Sequence, residues 1–189
     1  MIAARAEQEK AEIQWGDETG IQNNAYNAKG FSPKGTAPII RLNAKKTSIN
    51  MVSSVTNRGK VRFMLYQEKM SCKVLIKFMS RLIKDINHKV FLILDNLKVH
   101  HGKKVSDWLN ANQEKIEIFH LPSYSPELNP DEYLNSDLKY RIRSGLPARS
   151  QNELVKKTRS FMKTIQKRPN HVKNYFKHPQ VAYAACSDI

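Results

Sequence analysis

The stretch from Val90 to Glu132 decides the fold and reads VFLILDNLKVHHGKKVSDWLNANQEKIEIFHLPSYSPELNPDE. Its first residues, Val90–Leu94, form an apolar run too short for a helix and free of polar alternation, which indicates a strand buried on both faces. Another apolar-rich run, Ile116–Leu121, indicates a second strand. Between the runs, three residues keep helical spacing: Val105, Trp108 and Leu109. The order is therefore strand, helix, strand.

A further helix begins at the end of this stretch. Asn129 can cap it, Pro130 suits its first position, and Asp131 and Glu132 fall in its first turn. Acidic residues are ordinary at a helix start. Here, however, three prolines recur every four residues, at Pro122, Pro126 and Pro130. They predict a short rigid loop that directs a first-turn carboxylate at one point.

Asp95 ends the first of these strands. In open α/β sheets the carboxyl ends of the strands are where ligands bind, although an Asp at this point can also simply start a turn. Upstream, residues 12–20 read EIQWGDETG, in which Ile13 and Trp15 alternate with polar residues. This pattern predicts a strand with Asp17 on the same side and Glu18 on the other, followed by a turn that contains Gly20.

Asp17, Asp95 and Glu132 together suit a site for hard divalent cations, which take oxygen ligands. Two ions held by shared carboxylates can activate a water and stabilise a leaving oxygen at one phosphorus atom. The sequence therefore predicts catalytic, metal-binding carboxylates at these three positions, with two Mg²⁺ or Mn²⁺ ions. Without Asp17 and Asp95, the acids of the helix start would be ordinary capping residues.

Three blocks of the sequence, GDETG, LILDNLKVHH and LPSYSPELNPDEYLNSDLK, resemble the catalytic blocks of the DDE transposases. The resemblance is to the bacterial insertion-sequence branch of the mariner-like superfamily and extends from about Ala11 to Ala185. It places the acidic triad of that family on Asp17, Asp95 and Glu132. It also implies a ribonuclease-H-like fold, an α/β architecture in which helices flank both faces of a mixed five-stranded sheet.

The same resemblance implies divalent-metal-dependent cleavage of DNA and transfer of the freed 3′ hydroxyl to target DNA. Asp17 and Asp95 would share the two ions and Glu132 would complete one coordination sphere. Asn96 and His100 are candidates for supporting these ligands. The partners implied are transposon-end and target DNA and, on paired ends, a second copy of the chain. Two alternatives stay open, a nuclease that never transfers strands and a silent transposon remnant that only binds nucleic acid.

The rest of the chain follows the order that this fold requires. Alternation from Ser48 to Tyr66 predicts an antiparallel hairpin that turns at Asn57-Arg58-Gly59, and Ser71 to Ile86 has the spacing of a capped helix. Residues 23–38 carry Gly and Pro and predict an irregular excursion or small hairpin. The expectation is one catalytic domain over residues 1–189, in which residues 1–11 end a linker helix.

Basic residues concentrate toward the carboxyl terminus, in a helical extension expected over about residues 146–189. Leu138 to His178 holds twelve Lys and Arg residues against one acid, in a chain of net charge +15. The six predicted to contact DNA are Lys139, Arg143, Lys156, Arg159, Lys163 and Lys167. A solvated helix face is the alternative, but the scarcity of acids favours a polyanion-binding surface.

Composition bounds the class of protein. No apolar run approaches 18 residues, the amino terminus has no apolar signal region, and the two cysteines show no metal or redox spacing. We therefore expect a soluble bacterial protein of the cytoplasm, associated with the nucleoid. Nothing before Asp17 is long enough for an amino-terminal helix-turn-helix module. The sequence predicts that such a module, if used, comes from a longer chain or from a separate reading frame.

Overall fold

The computed structural model describes residues 2–23, 33–36, 47–84, 86–144 and 147–185. Within them a mixed sheet has five strands in the order β3-β2-β1-β4-β5. The strands are β1 (Glu12–Gln22), β2 (Ser48–Val55), β3 (Val61–Tyr66), β4 (Val90–Leu94) and β5 (Ile116–His120). β1, β2 and β3 pair antiparallel, whereas β4 runs parallel to both β1 and β5. The predicted mixed five-stranded sheet is confirmed.

Helices cover both faces of this sheet. They are α1 (Ile2–Gln8), α2 (Cys72–Lys84), α3 (Lys103–Asn110), α4 (Asp131–Ser144), α5 (Gln151–Gln166) and α6 (Pro169–Tyr175). The core under α2 and α3 and the core under α4, α5 and α6 lie on opposite faces. The helices therefore follow the strands in the predicted order, and the segment after Gln151 is largely helical.

β4 is buried along its whole length because both layers of helices cover it. Leu92 and Leu94 belong to the core with α2 and α3, while Ile93 belongs to the core with α4 to α6. Each fully buried aliphatic side chain of this size contributes about 1.5–3 kcal/mol relative to an exposed one. The uninterrupted apolar run of the sequence thus reflects the two-sided burial of a central strand.

The predicted hairpin is formed by β2 and β3, and its turn depends on Gly59. The φ angle of Gly59 is 89°, and a Cβ atom there would lie 2.5 Å from the carbonyl oxygen of Pro169. The cap predicted at Ser71 is present, and Ser150 caps α5 in the same way. The Val74 N–H donates to Ser71 Oγ over 3.4 Å, and the Glu153 N–H donates to Ser150 Oγ over 3.2 Å.

One local prediction is wrong. The expected turn at Gly20 does not occur, because β1 continues to Gln22 and pairs with β2 as far as Ser48. An antiparallel partner of eight residues supplies hydrogen bonds that outweigh the low strand preference of glycine. Most of the excursion predicted for residues 23–38, and Cys186, lie outside the described residues.

Cys72 is a free cysteine. Among the described helices, none is long and apolar enough to cross a membrane.

Candidate functional site

The three predicted acidic residues meet in one cavity. Asp17 lies within β1, Asp95 directly follows β4, and Glu132 lies in the first turn of α4. All three line a cavity of about 350 Å³. The strand register brings Asp17 close to Asp95, because Trp15 pairs with Ile93 in the parallel β1–β4 ladder. Asp17 and Asp95 each lie two residues further along their strands, at the same level of the sheet.

Gly16 allows the backbone to pack closely beside Asp17. A Cβ atom at Gly16 would lie 2.9 Å from Leu94 Cδ2 and 3.0 Å from the carbonyl oxygen of Ser53. A side chain at this position would therefore push apart three strands next to the first carboxylate. The carbonyl oxygen of Gly16 also accepts a hydrogen bond of 2.9 Å from Asn129 Nδ2, which connects β1 to the start of α4.

Two further buried hydrogen bonds fix the start of α4 on the sheet. Ser53 Oγ in β2 donates to Asp131 Oδ2 over 2.6 Å, and Asn135 Nδ2 donates to Asp17 Oδ2 over 2.8 Å. Asp131, Asn135 and Ser53 are fully buried, and Ser53 is the register partner of Asp17. These bonds set the position of Glu132 relative to Asp17, because a helix tied at its first turn and one turn later can neither slide nor rotate freely.

Several acids of the site have raised pKa values because they are buried close to one another. Burial, followed by repulsion from Glu132 and Glu18, raises the pKa of Asp17 to about 8. Burial, followed by repulsion from Asp17, raises the pKa of Asp131 well above its ordinary value. Burial and the Glu18 carboxylate also raise the pKa of Asp95. Within the described part of the chain, no Lys or Arg forms an ion pair with any of these acids.

His100 is buried beneath Asp95. Its Nδ1 lies 2.9 Å from the backbone carbonyl oxygen of Asp95, and its Nε2 lies 3.0 Å from Glu18 Oε1. A carbonyl oxygen only accepts hydrogen bonds, so Nδ1 carries the proton of that bond. Burial disfavours the imidazolium, but the hydrogen bond to Glu18, the Glu18 charge and the interactions with Asp95 together outweigh burial and raise the pKa of His100 above its ordinary value. The ring therefore joins the end of β4 to β1.

Glu18 had no predicted role, because the alternation of β1 directs it away from Asp17. Yet among the described residues the one group of potential ligand atoms that all lie within 4.8 Å of one another is Glu18, Asp95 and His100. His100 already uses both ring nitrogens, and its side chain is fully buried. Asp17, Asp95 and Glu132 line the cavity without forming so tight a group, and they stay the predicted metal ligands. Asp95 Oδ1 is buried, has no hydrogen-bond partner within the described part of the chain and lies 3.5 Å from His100 Nδ1.

The loop between β5 and α4 forms the opposite wall of the cavity. Asn96 Nδ2 donates to Ser123 Oγ over 3.2 Å, and His101 Nε2 donates to Asn96 Oδ1 over 2.6 Å. Asn96 and Ser123 both line the cavity. Asn96 thus lies where the sequence predicted a supporting residue, and its contacts connect the end of β4 to the loop that leads to Glu132.

Two supporting residues escaped the sequence analysis, Ser53 and Asn135. Ser53 sits in the β2 sequence SINMVSSV, where a polar residue within a strand that is otherwise mostly buried is the available signal. Asn135 follows Asp131 by four residues and so lies on the same helix face. Both side chains become significant only once β1, β2 and α4 are assembled.

The six predicted DNA-contacting residues lie outside the cavity. Lys139 is partly buried on α4, while Arg143 and the four cations of the α5 region are exposed: Lys156, Arg159, Lys163 and Lys167. The opposite face of α5 packs on the sheet through Leu154, Met162 and Ile165. Among the described residues, none of these four cations forms an ion pair with an acid. The cations therefore form an open basic surface on the side of the sheet that carries α4.

Comparisons with known proteins agree with this geometry. Residues 12–155 match the model of a family described as the DDE superfamily endonuclease. An insertion element IS630 uncharacterized 39 kDa protein from Shigella sonnei is 34% identical over 80 residues, which are 42% of this chain and 23% of that protein.

Solved structures of Mos1 transposase share the fold. In the paired-end complex with the left transposon end, the TM-score is 0.67 at 19% identity, covering 97% of this chain and 59% of the transposase. For the catalytic domain of the Mos1 mariner transposase, the TM-score is 0.60 at 16% identity, covering 97% of this chain and 88% of that domain. The chain thus spans less than two thirds of the whole transposase, and its fold is ribonuclease-H-like, as predicted.

Proposed function

The chain belongs to the DDE superfamily of endonucleases, and on this premise we propose that it cleaves DNA and transfers the cut strand to a target as a transposase catalytic domain. One observation carries the proposal. Three carboxylates from three separate elements, Asp17, Asp95 and Glu132, line one cavity, and no Lys or Arg of the described chain neutralises them. Such an arrangement suits divalent cations at a phosphodiester, since an unneutralised acidic cluster would otherwise repel the phosphate.

Asp17, Asp95 and Glu132 would hold two Mg²⁺ or Mn²⁺ ions. When bound, such ions supply Lewis acidity and charge neutralisation at the phosphorus atom. The chain's other residues hold the ligands in place. Asn135 fixes Asp17 through Oδ2, and His100 fixes the backbone of Asp95. Two of the Mos1 structures that share the fold are described as complexes with Mg and with Mn, which supports the choice of ion.

DNA would lie across the basic surface beside the cavity. Lys139, Arg143, Lys156, Arg159, Lys163 and Lys167 would contact phosphates, which position DNA without reading its sequence. In this proposal residues 1–189 form one catalytic domain, in which the region from about residue 146 is a basic extension. A second copy of the chain and a helix-turn-helix portion would hold and recognise the paired ends. The Mos1 paired-end complex, whose transposase has this fold, is consistent with such an assembly.

The test is a two-step assay with the purified chain. Supercoiled plasmid reports strand cleavage, and a labelled duplex with a free 3′ hydroxyl reports its joining to that plasmid. We expect both reactions in Mg²⁺ or Mn²⁺, and little turnover in Ca²⁺, whose coordination geometry is looser. Joined product separates a transposase from a nuclease that only hydrolyses. Turnover without any divalent ion would refute the mechanism.

Asp107→Asn is the matched control for variants that replace Asp17 or Asp95 by Asn, or Glu132 by Gln. Asp107 is an exposed carboxylate on α3, outside the cavity, so the substitution removes the same charge without touching the site. If wild-type protein binds DNA but neither cuts nor joins it under any ion, the chain is a silent remnant, and the proposal fails.

The basic surface is tested by a salt series. If the α5 region places about four cations on phosphates, log affinity for duplex DNA should fall with log salt at a slope of about −3.6. Replacing Lys156, Arg159, Lys163 and Lys167 by Glu should flatten the slope and weaken binding to all sequences alike. A preference above about tenfold for one duplex sequence would show that this domain reads bases itself.

A further inference from the structure

The C-terminal segment of the chain, residues 169–185, contacts the part of the protein that carries Glu132. It consists of α6 and a 3₁₀ helix, Pro179–Ala184, whose Val181 is fully buried. The family model matches no further than residue 155, so this segment lies outside the matched residues. None of its side chains lines the acidic cavity. Any influence of the segment on the site must therefore pass through α4 or the loop before it.

Tyr183 fixes the loop just before α4. Its hydroxyl donates a hydrogen bond of 2.7 Å to the carbonyl oxygen of Leu128. The next residue, Asn129, donates from its side chain to the carbonyl oxygen of Gly16 in β1. The backbone that enters α4 is thus held both by the strand of Asp17 and by the C-terminal segment.

His178 and Gln180 contact the residue that follows Glu132. The rings of Tyr133 and His178 stack, with their centroids 4.1 Å apart and their planes 12° apart. Tyr133 OH also donates to Gln180 Oε1 over 3.3 Å. These contacts restrain the first turn of α4 at the position next to the predicted ligand.

Asp137 provides a third contact, one turn further along α4. Its Oδ2 accepts a hydrogen bond of 2.8 Å from Tyr175 OH and lies 2.8 Å from His171 Nε2. Both partners belong to α6. The C-terminal segment thus contacts this part of the protein before Glu132, directly after it and about one turn later.

These contacts hold α4 on a second face. Asp131 and Asn135, four residues apart, share the face that is hydrogen-bonded to the sheet. Tyr133 and Asp137, also four residues apart, share a face turned by about 200° from it. Glu132 lies between the two faces. A helix held on one face alone can still tilt, and a shift of about 1 Å is enough to impair a metal site.

We propose that the C-terminal segment positions Glu132 for the divalent cation, with Tyr183 and His178 as positioning residues. The inference rests on the proposed function, because it takes Glu132 to be a metal ligand. Tyr183 and His178 are both exposed, so their contacts add little buried area to the core and serve mainly to restrict α4. Partners that act through a metal ligand typically change metal affinity by about 10–100-fold.

The test compares the double variant Tyr183→Phe/His178→Ala with the wild type, both as full chains. Without ions, amide hydrogen exchange over residues 128–134 should be faster in the variant, while its thermal unfolding midpoint should change by no more than about 3 °C. Calorimetry should show Mn²⁺ binding that is weaker by about tenfold. Cleavage at low Mn²⁺ should fall similarly and should recover in excess Mn²⁺.

Two further variants separate positioning from general destabilisation. His178→Phe keeps an aromatic ring for Tyr133 to stack on, so it should restore most of the Mn²⁺ affinity that His178→Ala loses. Tyr140→Phe is the matched control for Tyr183→Phe. It removes the same hydroxyl from an exposed tyrosine of α4 that lies outside these contacts, and it should leave Mn²⁺ affinity and hydrogen exchange unchanged.

Unchanged Mn²⁺ affinity in the double variant would overturn the inference. A loss of affinity that His178→Phe fails to restore, or that accompanies a large fall in the unfolding midpoint, would overturn it as well. Ion binding and hydrogen exchange are measured without DNA, so they test the inference even if the chain neither cuts nor joins DNA. Conversely, a double variant with wild-type ion affinity and normal cleavage would leave the proposed function standing.

Discussion

The two ends of the central sheet treat their acidic residues in opposite ways. At the end where β1 and β4 begin, Glu9 and Glu117 pair with Arg5 and Lys89, and Glu12 pairs with Lys60. Hydrogen bonds from Lys89 and Arg5 lower the pKa of Glu9, and the bond from Arg5 lowers that of Glu117. At the other end, burial and mutual repulsion raise the pKa values of Asp17, Asp95 and Asp131.

This difference does not arise from a shortage of cations. The chain holds 32 Lys and Arg residues against 17 Asp and Glu residues, so a basic partner was available for every acid. The cations instead occupy the opposite end and the surface of α5. Among the described residues this acidic cluster has no Lys or Arg partner, and the repulsion between its buried acids opposes folding in the absence of a ligand. The contrast between the two ends supports the proposed cation site, because an external cation would supply the positive charge that Lys and Arg supply at the other end.

The largest effect should come from removing one acid at each end. Glu132→Gln keeps the shape of the side chain but removes a ligand charge, so we expect metal-dependent cleavage to fall by more than about 10³-fold. Asp17→Asn and Asp95→Asn should behave alike. Glu117→Gln, at the paired end, should leave cleavage within about twofold of the wild type. Rates from plasmid nicking in Mg²⁺ would measure both, and circular dichroism would confirm that each variant folds.

A difference in the pH dependence of stability should follow from the same contrast. The pKa of Asp17 rises from about 3.9 in the unfolded chain to about 8 in the folded protein, so between these values the folded state holds a proton that the unfolded state has lost. Stability from this group is therefore present at low pH and is lost as pH rises toward 8. The acids with lowered pKa values have finished titrating by about pH 6.

Without divalent ions, unfolding by urea should thus become easier between pH 6 and pH 8, by about 2 kcal/mol. Mg²⁺ or Mn²⁺ should restore stability most strongly at the higher pH, because it binds the ionised carboxylates. Asp17→Asn should flatten the pH dependence. A wild-type protein whose ion-free stability rises over this interval would contradict the assignment of raised pKa values to the site.

The meeting of Asp17, Asp95 and Glu132 in one cavity was predictable because each acid stands beside a strong local signal. Asp95 ends an apolar run, Glu132 follows a proline-spaced helix start, and Asp17 keeps the alternation of its strand. The structure contains the elements that these patterns predict, because burial and helix capping depend mainly on local residue type. The five strands and the order of the helices were predictable for the same reason.

The support of the triad was not predictable, because it depends on register. Ser53 contacts Asp131 only because β2 pairs beside Asp17, and Glu18 reaches His100 only because β1 and β4 run in parallel. The spacing of residues along the sequence indicates neither of these two contacts. The wrong turn at Gly20 has a similar origin, since pairing with β2 outweighed the local preference of glycine.

A smaller effect is expected from His100, which connects Glu18 of β1 to the backbone of Asp95 at the end of β4. His100→Asn removes the hydrogen bonds to Glu18 and to the Asp95 carbonyl oxygen, and outer partners of metal ligands typically change affinity by about 10–100-fold. We therefore expect Mn²⁺ binding, measured by calorimetry, to weaken within that range. Glu18→Gln can still accept a hydrogen bond from His100 and should be milder. If Glu18→Gln abolished binding while Asp17→Asn did not, Glu18 would be the ligand.

Asp131 and Glu132 are adjacent in the sequence, but we expect their substitutions to affect cleavage differently. Asp131 is fully buried, and burial raises its pKa well above the ordinary value, which favours the protonated form that Asn closely mimics. Asp131→Asn should therefore keep cleavage within about tenfold of the wild type and should preserve metal affinity. Plasmid nicking by Asp131→Asn and by Glu132→Gln would show which of the two acids cleavage requires. A lethal Asp131→Asn beside an active Glu132→Gln would show that the third ligand had been assigned to the wrong residue.

The smallest effect should come from Glu12, at the paired end. Burial opposes its ionisation, but the hydrogen bond from Lys60, the Lys60 charge and the hydrogen bond from Gln14, together with His88, outweigh burial and lower the pKa of Glu12. Lys60 is about half exposed, its side-chain exposure being 47%, so water screens the pair and its contribution should be about 1 kcal/mol or less. Glu12→Gln also keeps an oxygen that can accept the hydrogen bond from Gln14 Nε2. Urea unfolding at pH 7 should show this small loss, and high salt should reduce it, because salt screens the exposed partner.

Cleavage should not change, since Glu12 lies at the opposite end of the sheet from the cavity. A fall in cleavage comparable to that of Glu132→Gln would mean that the two ends are not independent, and the contrast between paired and unpaired acids would lose its functional meaning.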